Sequence, residues 1–400
     1  MDPIGWTANR GSEQGNEILD ARYLFSILTL LFGLASSENV GNAQTKNNVS
    51  GQTDKEWQTA TPSEVNLDSA LIRSMLDKID TAGGYQNIKS LLIVKNGKLV
   101  VEEYYPPGDK REQLFKQYAP QEQTSATKSV TSILIGIAID QHLIKSVDEK
   151  VSTFFPECAD IFADPMKAKI RLRDLLTMQA GLEWDEWSYP YADARNSHVQ
   201  MLRSDDPIRY VFEQKVVASP GTKFAYSSGN SIALGRIISK VTGKRVEKFA
   251  EQFLFDPLDI TDFYWSKYPG EFVQTGGGLF LRPRDMAKIG SLFLNDGRWR
   301  GNQIVSEGWV RDSTNDQVPS TQIPKAAQAD GYGYQWWISS LKVSDRNFDS
   351  FSARGRGGQF ILVVPELKLV AVFTGPADNP LLFQPLDIAQ KFILPAAIAN

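Results

Sequence analysis

Thr124-Ser125-Ala126-Thr127-Lys128 runs directly into Ser129-Val130-Thr131-Ser132-Ile133-Leu134-Ile135-Gly136-Ile137-Ala138-Ile139. Apolar residues recur in the second part at intervals of three and four positions, which predicts one face of a helix. Thr124 is the candidate N-cap, so Ser125 is expected on the first helical turn. Side chains three positions apart are neighbours on a helix, which would hold the Ser125 hydroxyl beside the Lys128 amine. Such a pair can act as a nucleophile and its proton acceptor.

Ser-x-x-Lys is a short pattern that occurs twice in this chain, at Ser125/Lys128 and at Ser339/Lys342. With this many serines and lysines, about one match is expected by chance. Ser339 follows the aromatic run 334–338, which favours a strand, and it opens no helix. The context therefore favours Ser125 as the reactive serine.

The composition limits the kinds of protein that this chain can be. Its 400 residues, 42% of them hydrophobic, are enough to bury a large core in one big domain or two lobes. A net charge of −4 gives no basic surface for nucleic acid, so no nucleic-acid partner is expected. The single cysteine, Cys158, excludes an internal disulfide and a cysteine-based metal cluster.

Histidine is scarce, and this narrows the choice of catalytic base. The two histidines, His142 and His198, do not form the arrangement that a zinc hydrolase uses, and no metal or cofactor is expected. Gly-x-Ser-x-Gly is also absent, so a Ser-His-Asp triad on a nucleophile elbow is poorly supported. If a serine is activated here, its base is expected to be lysine or tyrosine.

The first 43 residues are interpreted as an N-terminal extension that contains an uncharged apolar run, Tyr23 to Ala35. This run is too short for a comfortable membrane span and is typical of a signal peptide, so we expect an exported protein, periplasmic or secreted. Gly41-Asn42-Ala43 would supply the cleavage site. Acidic residues before the run do not suit a signal peptide, which leaves open a later start near Leu19, an uncleaved anchor or a buried core helix. After processing, no stable membrane span is expected.

Residues 44–61, rich in Asn, Gln, Thr and Ser, are predicted to be a linker, and residues 62–400 are predicted to form one domain.

Asn96-Gly97 between two apolar runs predicts a type I′ hairpin. Further strands are expected at 332–339, 359–364 and 367–374, and Trp336 and Trp337 are expected in the core, one of them lining a cleft. Helices are predicted through the middle. The pattern indicates an α+β fold: an antiparallel sheet flanked by helices, with a mostly helical lobe inserted at roughly 126–260.

Three motifs together resemble one family. They are Ser125-Ala126-Thr127-Lys128 on a helix, Tyr226-Ser227-Ser228 before a helix, and the glycine-rich strand entry Ala353-Arg354-Gly355-Arg356-Gly357-Gly358. In this order they resemble the signature elements of serine β-lactamase/penicillin-binding-protein-like hydrolases. The closest subgroup is the class C-like esterases and amide hydrolases, including the 6-aminohexanoate-dimer hydrolase type. The resemblance covers roughly residues 65–400.

The resemblance implies a fold like that of β-lactamases and transpeptidases, and a mechanism. Ser125 would be acylated, with Lys128 and Tyr226 as general base and acid. The backbone N–H of Ser125 and one near Arg356 would bind the oxyanion. The remaining implied substrate-binding residues are Ser228, Arg354, Gly355, Gly357 and Gly358. Ser228 has an alternative interpretation as a helix N-cap.

Departures from the family pattern bear on the substrate. The third motif has no lysine where relatives carry Lys-Thr-Gly, and its register is ambiguous between 353–355 and 356–358. An arginine there could bind a carboxylate as a planar fork. Hydrolysis of a small ester or amide is therefore favoured. The alternatives are a D-Ala-D-Ala-type carboxypeptidase or β-lactamase, and a non-catalytic sensor that is acylated without turnover. The sequence indicates no oligomeric state.

Overall fold

The computed structural model describes residues 56–81, 84–85, 87–105, 119–268, 272–376 and 383–399. They all belong to the unit Asp54–Asn400. The predicted extension 1–43, with its apolar run, and most of the predicted linker lie outside the described residues. Among the residues that the structure describes, no helix is long and apolar enough to cross a membrane.

The strands of the described residues are named in chain order. They are β1 Ser90–Lys95, β2 Lys98–Tyr104, β3 Gln121–Glu122, β4 Phe263–Trp265, β5 Lys267–Tyr268, β6 Phe272–Val273, β7 Leu279–Leu281, β8 Arg298–Trp299, β9 Asn302–Gln303, β10 Val318–Pro319, β11 Gly331–Tyr332, β12 Trp337–Val343, β13 Arg346–Gly355, β14 Gln359–Val364 and β15 Leu369–Thr374.

The helices are named in the same way. They are α1 Ser69–Asp80, α2 Thr127–Asp140, α3 Leu172–Leu176, α4 Ser197–Arg203, α5 Pro207–Glu213, α6 Ser228–Thr242, α7 Val246–Ala250, α8 Pro283–Leu294, α9 Glu307–Thr314, α10 Gln384–Ile388 and α11 Leu394–Ile398. Two π-helical segments, Glu251–Phe255 and Ala389–Ile393, and short 3₁₀ turns, among them Thr124–Ala126, complete the described helices.

Eight strands form one antiparallel sheet in the order β10-β11-β12-β13-β14-β15-β1-β2. Strands from both ends of the domain are therefore neighbours, as β1 pairs with β15. Asn96 and Gly97 both have positive φ, 53° and 76°, as a type I′ turn requires, so the predicted hairpin is confirmed. The predicted strand 332–339 is two short strands, because the chain turns between Tyr332 and Trp337.

Both faces of the sheet are covered by helices. In β1 the side chains of Leu91 and Ile93 pack with α1 and the C-terminal helices, whereas Leu92 and Val94 face the core that α8 joins. Because the sheet is buried on both sides, its central strands are apolar without alternation. The predicted α+β class, a helix-flanked antiparallel sheet, is confirmed. From Thr127 to Leu258, a stretch described throughout, every named element is a helix.

Helix α2 lies in the middle of the molecule, with Thr127 to Ala138 all buried. The apolar spacing predicts only one buried face, but the opposite face is buried too. Its small hydroxyl side chains find partners on neighbouring loops: Ser129 donates to the Gln335 carbonyl at 2.6 Å and Thr131 to the Thr275 carbonyl at 2.7 Å. These bonds satisfy polar groups that would otherwise be costly to bury, and they fix α2 relative to the loops around the site.

The described residues before Pro62 already pack against the domain. Trp57 is buried, and Thr59 forms a bridge with Leu99. The Glu56 carboxylate lies 2.7 Å from Nζ of the fully buried Lys288. Residues 56–61 of the predicted linker are thus part of the packed structure: they contribute the buried Trp57 and the half-buried Glu56, which pairs with Lys288.

Candidate active site

Ser125 lies in the 3₁₀ turn Thr124–Ala126, which leads without a break into α2. Thr124 does not cap the helix, because the residue before α2 is Ala126, which is itself helical. Thr124 instead has a φ of 43° and donates its hydroxyl to the Arg356 carbonyl at 3.0 Å. The prediction of Thr124 as N-cap is therefore wrong; its side chain ties the turn that carries Ser125 to the end of β13.

Ser125 and Lys128 lie together. The Lys128 Nζ is 3.0 Å from the Ser125 Oγ, 3.0 Å from the Ser228 Oγ and 2.6 Å from the Gly276 carbonyl oxygen. The lysine is 1% exposed, so its charged form has lost almost all contact with water. Burial lowers the pKa of the Lys128 amine to about 8, against the opposing influence of the Glu186 carboxylate. With this pKa about half of the amine is neutral near pH 8, so the lysine is available as a proton acceptor at mildly alkaline pH.

Tyr226 lies on the other side of the same amine. Lys128 Nζ is 5.0 Å from the centre of its ring, and Tyr226 lines the same cleft as Ser125. Burial, and then the charge of Glu186, raise the pKa of the Tyr226 phenol well above its ordinary value. A phenol that keeps its proton is a donor, so this environment separates the roles: Lys128 is suited to accept a proton and Tyr226 to give one.

Ser228 is not a helix cap. Helix α6 begins at Ser228, and its N-cap is Ser227, whose Oγ accepts from the Asn230 N–H at 3.2 Å. The N-cap interpretation of Ser228 is therefore wrong. Its side chain points into the site, where it accepts from Lys128 and donates to the Glu186 Oε1 at 2.5 Å.

Glu186 is a member of the site that sequence reasoning missed. It is 3% exposed, in the aromatic stretch 184–191, and accepts from four donors. No motif spacing in the sequence marks this glutamate. Its partner Ser228 lies 42 positions away, so only the folded chain brings the two together.

The two possible registers of the third motif differ in position. Residues 353–355 end β13 beside the turn that carries Ser125, whereas Arg356, Gly357 and Gly358 form the turn into β14, with φ of 86° and 82° at the two glycines. A Cβ on Gly355 would lie 2.2 Å from Thr124 Oγ1, so only glycine allows this approach. Both registers therefore contact the turn: Gly355 packs against Thr124, and the Arg356 carbonyl accepts from the Thr124 hydroxyl.

The two arginines of this motif occupy different environments. Arg354 is buried and its guanidinium makes four hydrogen bonds, to the hydroxyls of Ser352 and Ser339 and to the carbonyls of residues 327 and 328. Because four of its five N–H groups are used within the protein, it has no free fork for a substrate carboxylate. Burial lowers its pKa to about 9. Arg356 is exposed, with its guanidinium 5.1 Å from the ring centre of Tyr191.

An aromatic cleft of about 560 Å³ opens beside Ser125. Trp337 stacks on Tyr226 with ring centres 5.7 Å apart, and Trp187, 44% exposed, packs against the same tyrosine at 5.1 Å. Trp336 points the other way and stacks on Phe293 in the core. One of the two adjacent tryptophans thus lines the cleft and the other fills the core, as the sequence predicts. The cleft suits a compact apolar group next to the nucleophile.

The second Ser-x-x-Lys match forms no such pair. Ser339 and Lys342 lie on β12, where positions three apart face opposite sides of the sheet. Ser339 is buried and accepts from Arg354, whereas Lys342 is exposed. Cys158 is buried and free, and no cluster of metal-ligating side chains occurs among the residues described.

Comparison with known proteins identifies the family. A model described as Beta-lactamase matches residues 70–383, and the chain belongs to this family. It is 26% identical over 308 residues to the 6-aminohexanoate-dimer hydrolase of Paenarthrobacter ureafaciens, covering 72% of each chain. It is 28% identical over 193 residues to the lovastatin esterase of Penicillium rubens, covering 43% of this chain and 46% of the relative.

A solved structure supports the fold. A candidate 6-aminohexanoate-dimer hydrolase from Bacillus anthracis superposes with a TM-score of 0.64 at 22% identity, over 85% of this chain and 87% of the other. At this identity the likeness concerns the fold alone. Family membership, together with the activities named for the relatives, confirms the predicted class of enzyme: a serine hydrolase that works through an acyl-enzyme.

Proposed function

We propose that the protein hydrolyses small esters or short amides through an acyl-enzyme on Ser125, with Lys128 as general base and Tyr226 as general acid. The observation that carries the proposal is the convergence of three side chains: Lys128 Nζ lies 3.0 Å from Ser125 Oγ and 5.0 Å from the centre of the Tyr226 ring, and Tyr226 and Ser125 line the same cleft. A nucleophile, a buried amine of lowered pKa and a protonated phenol together can perform acyl transfer without histidine.

In the acylation step Lys128 takes the Ser125 proton while Oγ attacks the substrate carbonyl carbon. The backbone N–H groups of Ser125 and Arg356 are the candidate donors to the resulting oxyanion, since Gly355 brings the end of β13 against the Ser125 turn. Tyr226 gives its proton to the departing oxygen or nitrogen as the bond to the carbonyl carbon breaks, and the proton held by Lys128 restores the phenol.

Deacylation repeats the same proton transfers with water. Lys128 accepts a proton from the attacking water, whose oxygen bonds the acyl carbon. Ser125 Oγ then leaves and regains a proton from the Lys128–Tyr226 pair, and the acid product is released. The free enzyme is restored with no group consumed other than water.

The cleft supports the choice of an ester or a short amide. Seven of the sixteen residues that line it are aromatic, and the buried Arg354 directs four N–H groups to protein acceptors. The chain also lacks the lysine that relatives acting on β-lactams carry in the third motif. The missing lysine and the committed Arg354 each remove one group that could bind the carboxylate of a β-lactam or a D-Ala-D-Ala peptide, and Arg356, exposed on the same cleft, is the arginine of the motif that remains for such a role.

The test is turnover of p-nitrophenyl butyrate by the wild type and by Ser125→Ala. We expect Ser125→Ala to lose all turnover above background, while Ser340→Ala, a matched change at an exposed serine on β12, retains it. A nitrocefin assay run beside it is expected to show slow hydrolysis or none. Persistence of ester turnover in Ser125→Ala would contradict the proposal, and rapid nitrocefin hydrolysis would favour a β-lactamase.

We also propose that the protein is exported. The apolar run at 23–35, followed by small residues at 41–43, supports this interpretation. Fractionation of cells expressing the full chain is expected to find the protein outside the cytoplasm, and deletion of 23–35 to retain it inside. N-terminal sequencing of the exported form distinguishes cleavage near residue 43 from an uncleaved anchor.

A further inference from the structure

Glu186 is separated from Lys128 by a single hydroxyl group. Lys128 Nζ is 3.0 Å from Ser228 Oγ, and Ser228 Oγ is 2.5 Å from Glu186 Oε1. We propose that Glu186 is a positioning residue which, through the Ser228 hydroxyl, aims the lone pair of the neutral Lys128 amine at Ser125. The inference rests on the proposed function, in which Lys128 is the base.

The direction of each hydrogen bond in this chain follows from the chemistry of its members. An ionised carboxylate only accepts, so the Ser228 hydroxyl donates to Glu186. The Ser228 oxygen is then left to accept from Lys128. The Gly276 carbonyl, 2.6 Å from Nζ, also only accepts. A neutral amine has two N–H groups, and these two acceptors use both.

The third neighbour of the amine is Ser125 Oγ at 3.0 Å. With both N–H groups committed elsewhere, the lone pair of neutral Lys128 faces this oxygen. That is the orientation needed to remove the Ser125 proton. Without a pure acceptor at position 186, the Ser228 hydroxyl is free to turn and donate to Lys128, and the lone pair would then face Ser228 instead.

The remaining contacts of Glu186 keep its carboxylate ionised and in place. Besides Ser228 Oγ, it accepts from the Ser228 N–H at 2.7 Å, the Trp184 indole at 2.9 Å and the Tyr191 hydroxyl at 2.7 Å. Burial opposes ionisation, but the Lys128 charge, the His198 charge and the Ser228 bonds together hold the pKa of Glu186 below its ordinary value. The two bonds from Ser228 do not depend on the charge of Lys128 or His198, so they continue to favour the ionised carboxylate when the amine is neutral.

The same negative charge acts on the titration of Lys128. It favours the ammonium form and opposes the lowering caused by burial. Removing the charge should therefore lower the pKa of Lys128 further. The other titratable groups that face Glu186 are His198 and three tyrosines, Tyr191, Tyr226 and Tyr268. Burial lowers the pKa of His198 and raises those of the tyrosines, so between pH 7 and 9 the lysine is the group expected to change charge.

The experiment compares the pH dependence of kcat/KM for p-nitrophenyl butyrate in the wild type, Glu186→Gln and Glu183→Gln. Glutamine keeps the size of the side chain but removes its charge and adds an N–H donor. Glu183, exposed three positions earlier, is the matched control. We expect Glu186→Gln to lose about tenfold or more at its optimum and to shift its acid-side midpoint down by about one pH unit, with Glu183→Gln unchanged.

If Glu186 had only a structural role, Glu186→Gln would lower kcat/KM by the same factor at every pH and leave the acid-side midpoint unchanged. A loss of rate with an unmoved midpoint, or wild-type rates in Glu186→Gln, would overturn the proposal. Should that variant fail to fold, Ser228→Ala keeps the backbone N–H bond to Glu186 and removes the hydroxyl that joins Glu186 to Lys128. We expect about a tenfold loss of kcat/KM above pH 9, and unchanged activity would overturn the proposal. Ser125→Ala in the same assay distinguishes a failure of this inference from a failure of the proposed function, because activity without Ser125 refutes the proposed function itself.

Discussion

Gly355 at the end of β13 and Thr124 beside the nucleophile are packed so closely that a Cβ on residue 355 would lie 2.2 Å from Thr124 Oγ1 and 3.1 Å from the Ala126 nitrogen. Backbone atoms on the Ser125 turn cannot move away without moving Ser125. Strand β13 and the turn Thr124–Ala126 are therefore in tight contact at the place where an oxyanion would be bound.

Gly355→Ala is expected to lower kcat/KM by about 100-fold, the loss typical of one oxyanion donor, because β13 and the Ser125 turn must separate. Gly308→Ala on α9 is the control, since its nearest neighbour is a flexible arginine end at 3.8 Å. Kinetics with p-nitrophenyl butyrate measure both, beside a melting curve. Equal activity in the two variants would show that the close approach has no catalytic consequence.

The pH dependence of acylation should follow Lys128. Since its pKa is lowered to about 8 and the neutral form is the base, the rate rises with pH and reaches half its plateau near pH 8. Stopped-flow release of p-nitrophenol between pH 6 and 10 measures this rise. Lys128→Met should abolish it, whereas Lys342→Met, in the second Ser-x-x-Lys match, should not. A rate that falls with pH through this range would exclude a neutral lysine base.

Trp187 tests the role of the cleft in binding. It is 44% exposed yet packs against Tyr226, so Trp187→Ala should raise KM for p-nitrophenyl butyrate about three- to tenfold with little change in Tm. Trp336→Ala, in the core, should show the reverse: a loss of about 3–5 kcal/mol in the free energy of unfolding. An unchanged KM in Trp187→Ala would mean that this wall does not contact the substrate.

The ion pair between Glu56 and Lys288 is expected to contribute to the free energy of unfolding. The lysine is fully buried, so Glu56→Ala is expected to cost about 1–3 kcal/mol in chemical denaturation. Glu366→Ala, which breaks an exposed pair with Arg346, should cost about 0–1 kcal/mol. Burial opposes the ionisation of Glu56, but its bond and charge contact with Lys288 keep its pKa lowered, so this contribution is present at neutral pH and is lost on acidification. Equal costs for the two variants would contradict the prediction.

The sequence predicted correctly those features that depend on residues close together in the chain. The hairpin at Asn96-Gly97 and the pairing of Ser125 with Lys128 depend on residues a few positions apart, and both are visible as local patterns. Tyr226 and the 353–358 strand entry were found only through the resemblance to a family. The fold class followed from strands at both ends of the domain.

What the sequence did not reveal depends on distant partners. Glu186 is held by Ser228, 42 positions away, and three of the four acceptors of Arg354 lie fifteen to twenty-seven positions away. Thr124 matched the N-cap pattern, in which its side-chain oxygen would accept from a backbone N–H, but its hydroxyl instead donates to the Arg356 carbonyl across the fold. No periodicity or spacing encodes such contacts, because they depend on which loops the sheet brings together.

The most direct test of the mechanism is to quench the wild-type enzyme during turnover of p-nitrophenyl butyrate and to map the acyl group by peptide mass spectrometry. We expect a butyryl group on Ser125 alone, in protein that has already released many equivalents of p-nitrophenol. Label on Ser125 without multiple turnover would indicate the acylatable sensor. Continued turnover with no adduct on Ser125 would contradict the proposed acyl-enzyme outright.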